Sequence, residues 1–213
     1  MLKTVRLLFS KTGRARFISH LDLNRTMTRV VRRAGIPLWY TEGFNRHPYL
    51  TFTAPLSLGY EGLAEIMEIR LEEDMPSDEL VSKLQAVMPE GLCVFEAFEA
   101  QRKAGELKSA AYTLHFACPA DPVRELLAQP SILVEKFSKK KVLKTVDIAP
   151  AFAGAVVEDA ENGCKMTVTL PCGGEGTVNP SLFVTALKQK LGEDIPCHVV
   201  RTALFGPDGC PFR

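Results

Sequence analysis

Long apolar runs are missing from this sequence. In its first sixteen residues, MLKTVRLLFSKTGRAR, charge at Lys3, Arg6, Lys11, Arg14 and Arg16 breaks every hydrophobic stretch. No later segment approaches the roughly 18 apolar residues of a membrane-crossing helix. No secretory leader and no membrane contact are expected, and the expected location is cytoplasmic. Paired cysteines are missing as well: Cys93, Cys118, Cys164, Cys172, Cys197 and Cys210 include no CxxC spacing. Zinc or iron–sulfur ligation by this chain alone is not expected, the metal and cofactor expectation is none, and most thiols should be ordinary buried side chains.

Disorder is excluded by composition. At 213 residues, 46% hydrophobic and 24% charged, the chain has the makeup of a folded protein of one domain or two small ones. The net charge of +1 hides a segregation along the chain. Up to Tyr60, ten Lys/Arg face only Asp22 and Glu42, whereas Glu61 to Glu106 holds twelve acids against Arg70, Lys83, Arg102 and Lys103.

Taken in order, residues 4–9 (TVRLLF) alternate as a strand, and SKTGRAR turns at Thr12-Gly13. Ser19, with Asp22 three residues on, starts a helix over 19–34 that Gly35-Ile36-Pro37 stops. Residues 37–60 alternate aromatic and polar residues around a Gly/Pro-punctuated loop, predicting a hairpin or a strand, loop and strand. A strand over 64–71, a helix from Pro76 to Pro89 and a strand over 92–98 complete the order strand, helix, strand, strand, helix, strand. Residues 99–109 form a charged linker. The same order is predicted again from strands at 112–118, 165–170 and 197–204, a strand plus Lys-rich turn over 132–145, and helices at 122–128 and 180–191. The expected fold class is α+β, as two tandem ferredoxin-like βαββαβ units: a basic N-terminal one over 1–100 carrying the GFNRHP loop, and a C-terminal one over 109–207. One α+β domain with a shared sheet gives the same string. The tail GPDGCPFR is expected to be loosely ordered.

The basic opening carries the functional signal. On the helix, Leu23, Met27, Val30, Val31 and Ala34 make the apolar side, and Arg25, Arg29, Arg32 and Arg33 fall within an arc of about 100° opposite it. Guanidinium forks pair with phosphate oxygens, and a row of them along a polyanion adds counterion release. Arg14 and Arg16 extend the patch. The alternative is that these arginines meet the acids of 61–106 within the fold or across a protein interface.

In GFNRHP, Gly43 can take a positive φ, Asn45 suits a turn and Pro48 keeps His47 extended. With Phe44, Arg46 and Tyr49, the loop joins stacking surfaces to phosphate donors, the combination that single-stranded RNA recognition uses. Trp39, Tyr40 and Phe52 are close by, and any of these aromatics can instead be core; Phe44 and Tyr49 are the expected exposed pair. His47 is a candidate general acid or base, with His20 as its partner, although His20 also fits a core position on the helical wheel. His115 and His198 are given no role. A second basic cluster, Lys136, Lys139, Lys140, Lys141 and Lys144, is equally a solvated hairpin tip. Cys172-Gly173-Gly174-Glu175-Gly176 lacks the spacing of a phosphate loop and is expected to be a plain turn.

The run RFISHLDLNRTMTRVVRRAGIPLWYTEGFNRHPYLTFTAPLSLGYEGLAE, with its RFISHLDL, RRAG and GFN-HP elements, resembles the radical-SAM-linked domain of unknown function. That bacterial family occurs fused to the C-terminal side of a radical SAM protein or as a separate short chain. Arg46 stands where the family more often has proline, which adds charge to the loop. The resemblance implies a radical SAM protein as partner and an association with RNA metabolism. This chain lacks a CxxxCxxC, so it resembles the accessory component rather than the radical enzyme. In outline the layout is also similar to repeat-associated RNA-processing endonucleases. The expected function is a non-catalytic RNA-binding accessory protein working with a radical SAM enzyme. The alternatives are a metal-independent endoribonuclease using His47, and a protein-docking adaptor that binds no nucleic acid.

Overall fold

A computed structural model describes residues 3–137, 143–174 and 176–213. The fold is mixed α+β, and the chain divides into two compact units: residues up to Leu107 together with Ala203–Arg213, and Lys108–Thr202.

The first unit begins with β1 (Lys3–Lys11), whose Val5, Leu7 and Phe9 point into the core. A 3₁₀ turn at Gly13–Phe17 follows, entered by Gly13 at φ 58°. In α1 (His20–Arg33) the Ser19 hydroxyl accepts the Asp22 N–H at 3.1 Å, satisfying one of the helix's orphan donors. Gly35, at φ 66°, ends it in a conformation that costs other residues strain. Next come β2 (Leu50–Phe52), β3 (Glu61–Leu71), α2 (Ser77–Gln85) and β4 (Leu92–Glu99). The strand order is β4-β1-β3, β2 pairs with β3 as well, and each of these pairings is antiparallel. Both helices cover one face: Leu23, Met27, Val30 and Val31 of α1 and Leu80 and Leu84 of α2 share a core with Leu7, Phe9, Met67, Ile69 and Val94. Strand alternation sends Thr4, Arg6, Glu68 and Arg70 to the opposite face, where Thr4 is in register with Arg70 and Arg6 with Glu68.

Two expectations change here. The linker folds onto the first unit: Leu107 is buried, a 3₁₀ turn forms at Ala104–Glu106, and the Arg102 carbonyl accepts from Arg6. The tail is docked, not loose. Phe212 is 2% exposed with its ring 4.8 Å from the Arg6 guanidinium carbon, the Phe212 N–H bonds the Leu204 carbonyl, and Arg213 grips both carboxylate oxygens of Glu96. Burying one large aromatic ring outweighs the flexibility of the surrounding Gly and Pro.

The second unit contains β5 (Ser109–Phe116), α3 (Ala120–Leu127), β6 (Leu133–Phe137), β7 (Leu143–Asp147), α4 (Ala149–Phe152), β8 (Val156–Ala160), β9 (Gly163–Pro171), α5 (Ser181–Leu191) and β10 (Cys197–Phe205), whose last three residues belong to the first unit. Its strands run β10-β5-β9-β8. The segment 132–145, expected as a strand and Lys-rich turn of this unit, forms an antiparallel hairpin of its own, β6 with β7, and β8 takes the place beside β9 in the sheet. β8 escapes sequence reading because four of its five residues are exposed, leaving no alternation to detect. Phe183 anchors this core, with ring centroids 5.0 Å from Phe152 and 6.2 Å from Phe116. Lys136 and Lys144 pair across the hairpin, while Lys139, Lys140 and Lys141 lie outside the described residues, as does Glu175.

All six cysteines are unbridged. Burial pushes the Cys164 thiol up to about 11 and the Cys197 thiol up to about 12, so both stay protonated and unreactive at neutral pH. Cys210 is the exposed one. A thiol-specific chromogenic reagent should therefore label Cys210 fastest in the native protein and the buried Cys118, Cys164 and Cys172 only on unfolding, and Cys210→Ser should remove the fast phase. Phe212→Ala should destabilise the protein by about 3 kcal/mol in urea unfolding; an undocked tail would leave the midpoint unchanged.

Candidate nucleic-acid interface

The outward side of α1 presents Arg25, Arg29, Arg32 and Arg33, all exposed. Arg25 pairs with Asp22 at 3.1 Å. The Ser19 hydroxyl, and then Arg25, hold the Asp22 carboxyl below its ordinary range. Arg32 donates from Nε to the Tyr40 hydroxyl at 3.2 Å. Arg29 and Arg33 make no ion pair among the described residues, nor do the exposed Arg14 and Arg46. Arg16 is half-buried, 3.8 Å from Glu61 and stacked 4.7 Å from the Phe17 ring.

At least five of the twelve acids of 61–106 pair with bases off the ridge. Asp74 and Glu99 take Lys3, Glu68 takes Arg6, Glu79 takes Lys83 and Glu96 takes Arg213. Of the arginines singled out in the sequence, only Arg16 meets that segment; the ridge on α1 faces solvent.

Residues 39–49 fold back on themselves. The Tyr49 N–H bonds the Trp39 carbonyl at 3.0 Å, the Thr41 N–H bonds the His47 carbonyl at 2.9 Å, and Gly43 sits near the tip at φ 125°. Phe44 is fully exposed, with Asn45 and Arg46 exposed beside it. The His47 Nδ1 lies 3.0 Å from the Asn45 carbonyl and 3.1 Å from the Thr41 hydroxyl. A carbonyl only accepts, so the contact with Asn45 is made by an Nδ1 proton.

Tyr49 is not the free stacking surface expected of it. Its ring lies 4.5 Å from the Arg70 guanidinium carbon, the Trp39 ring lies 4.8 Å from the same atom, and the Tyr49 hydroxyl donates to Glu68 at 3.2 Å. Tyr40 is likewise engaged by Arg32. Phe44 is left as the open ring of the hairpin. Arg6 and Arg70, on the helix-free face, are residues that sequence reasoning missed; their parity opposite Val5, Leu7 and Ile69 was the available signal.

His20 is exposed at the N-terminal end of α1, edge-on to Phe52 at 5.2 Å. At about 1.5 Å of rise per residue it stands roughly 18 Å along the helix from Arg32, where the hairpin is tied. Among the described residues no contact joins His20 to His47. In the second unit His115 and His198 stack at 5.9 Å, and burial, then His198, lower the basicity of His115. No group of three His, Cys, Asp or Glu side chains among the described residues is arranged to hold a metal ion, and no described helix is long and apolar enough to cross a membrane.

The family model described as "Uncharacterized protein conserved in bacteria (DUF2344)" matches residues 4–180. This chain belongs to the DUF2344 family. The match spans both units, and its description carries no activity. No curated protein matches the DUF2344 chain. Among solved structures it is similar to an unknown protein from Galdieria sulphuraria, at 9% identity over 94% of this chain and 99% of that one, with a TM-score of 0.29. A likeness of that size carries no argument about fold or function.

The cap on α1 is testable. Ser19→Ala should cost about 1 kcal/mol in urea unfolding. Because the folded Asp22 carboxyl titrates below its unfolded value of about 3.9, its stabilising contribution is complete above that value and fades as pH falls through the lower folded one. An NMR titration should place the Asp22 midpoint higher in Ser19→Ala than in the wild type.

Proposed function

We propose that this DUF2344 protein is a non-catalytic RNA-binding accessory protein that works with a radical SAM enzyme. The phosphates lie along Arg25, Arg29, Arg32 and Arg33, with Arg14, Arg16 and Arg46 extending the track, and Phe44 stacks on a base. One observation carries this reading: the guanidinium ridge of α1 is exposed, and none of its four arginines pairs with an acid of 61–106 among the described residues. Asn45 and His47 shape the turn, and the exposed His47 ring meets a ribose hydroxyl or base edge.

The radical SAM partner rests on the likeness of RFISHLDL, RRAG and GFN-HP. An exposed apolar group supports a protein contact at the start of α1: Phe17, Leu21 and Leu58 are each about 60% exposed, and the Gly59 N–H bonds the Arg16 carbonyl, which brings the Leu58 loop beside Phe17. The strand order β4-β1-β3 with β2 also on β3, and the order β10-β5-β9-β8, support the finer fold assignment, two ferredoxin-like domains over 1–100 and 109–207, with β6, β7 and α4 inserted in the second.

Fluorescence anisotropy with a single-stranded RNA tests the interface. Wild-type affinity should fall as salt rises. Arg29→Glu with Arg33→Glu should weaken binding at least about tenfold and reduce the log–log salt slope by about 1.4, for two lost phosphate contacts on a single strand. Phe44→Ala should cost about 1–3 kcal/mol. Unchanged affinity in the double charge reversal would sink the proposal.

A further inference from the structure

The first unit's sheet ends on β4. Among the described residues β1 pairs with one side of it and no strand lies along the other. A terminal strand carries a row of unpaired N–H and C=O groups, which proteins blunt, cover or use to add a strand. At Val94 the outward group is visible: its N–H is accepted not by β1 but by the side-chain carbonyl of Gln85, on α2, at 3.0 Å. That carboxamide oxygen stands where the backbone carbonyl of an added strand would stand.

One residue on, the register against β1 slips, from Phe9 opposite Val94 to Leu8 opposite Glu96. Phe95 is left with no residue facing it, a bulge that re-aims its side chain and leaves it 45% exposed. With Val81, Ala86 and Ala97 it lines a groove of about 480 Å³ between α2 and β4. Past the bulge, residues 96–99 keep unbroken register with β1, so their outer edge can take a strand. The groove is open along that edge, as strand addition requires.

The surroundings are acidic. Residues 77–99 carry Asp78, Glu79, Glu90, Glu96 and Glu99 against Lys83 alone. Glu79 pairs with Lys83, Glu96 with Arg213 and Glu99 with Lys3. Asp78, in the groove wall, and Glu90, in the turn from α2 to β4, are exposed and make no ion pair among the described residues. No lysine or arginine lines the groove.

We propose that β4 takes an added strand, an extended basic segment of a partner protein. It hydrogen-bonds along 96–99, sets an apolar side chain against Phe95 and Val81, and turns lysine or arginine toward Asp78 and Glu90. The surplus of acid repels nucleic acid here, and a symmetric second copy would bring the same carboxylates against themselves. This edge is separate from the ridge on α1 and does not rest on the RNA reading.

Amide NMR titration of the full chain with a blocked hexapeptide of alternating lysine and valine tests it. Amides of α2 and β4 should shift saturably. Phe95→Ser, an exposed change, should weaken binding at least about threefold. Asp78→Asn with Glu90→Gln should weaken it at least about twofold. The same peptide N-methylated at every residue, and a hexapeptide of alternating glutamate and valine, should leave the spectrum unchanged. Absence of a saturable shift overturns the site, as does unchanged affinity in Phe95→Ser. Binding that survives full N-methylation overturns it too, because charge alone would then hold the peptide. Concentration-dependent shifts of the same amides without peptide would give the edge to a second copy and equally end the proposal.

Discussion

Arg70, held between the rings of Trp39 and Tyr49, fixes the hairpin on which the candidate interface is built. Cation–π contacts of this kind are worth about 0.5–2 kcal/mol each depending on solvation, and here two act on one guanidinium. Trp39 and Tyr49 are joined by a backbone hydrogen bond, so clamping their side chains on β3 also clamps the base of the 39–49 turn. Tyr40, the next residue, points the other way and receives Arg32 of α1. The hairpin is thus tied by aromatic side chains on one side to the sheet and on the other to the helix. That arrangement leaves Phe44 and Arg46 projecting from a base that does not drift.

The charge separation seen along the chain has a structural counterpart. Acids of β3, β4 and the loop after β3 neutralise bases of β1, the adjacent half of their own sheet, and the C-terminal Arg213. Sheet register sets the central pair, since Arg6 stands opposite Glu68. α1 lies on the other face of the sheet, beyond the reach of that pairing. A polypeptide of net charge +1 can thereby keep a strongly positive helix side without an unusual composition.

Local patterns were legible in the sequence and distant pairings were not. Ser19, Asp22 and Gly35 bracket α1 through contacts spanning three or four residues, and the apolar spacing of Leu23, Met27, Val30 and Val31 gave its buried side. The exposure of Phe44 followed from its place in a Gly-Phe-Asn turn. Tyr49 was misjudged because alternation tells which residues share a face but not which guanidinium waits there; Arg70 comes from a strand that only the tertiary fold brings alongside. The tail was misjudged for the same reason, its single ring finding Arg6 near the opposite terminus. β8 left no trace at all, being an edge strand that buries almost nothing.

The membership of Ala203–Arg213 in the first unit bears on biosynthesis. The unit that emerges first from the ribosome lacks its closing piece until all of Lys108–Thr202 has been made. Until then the Phe212 ring is absent and one side of Arg6 stays uncovered. The nascent N-terminal half therefore spends the translation of the other half as an incomplete body, a period in which a chaperone or an early-arriving partner has access to surface that the finished molecule hides.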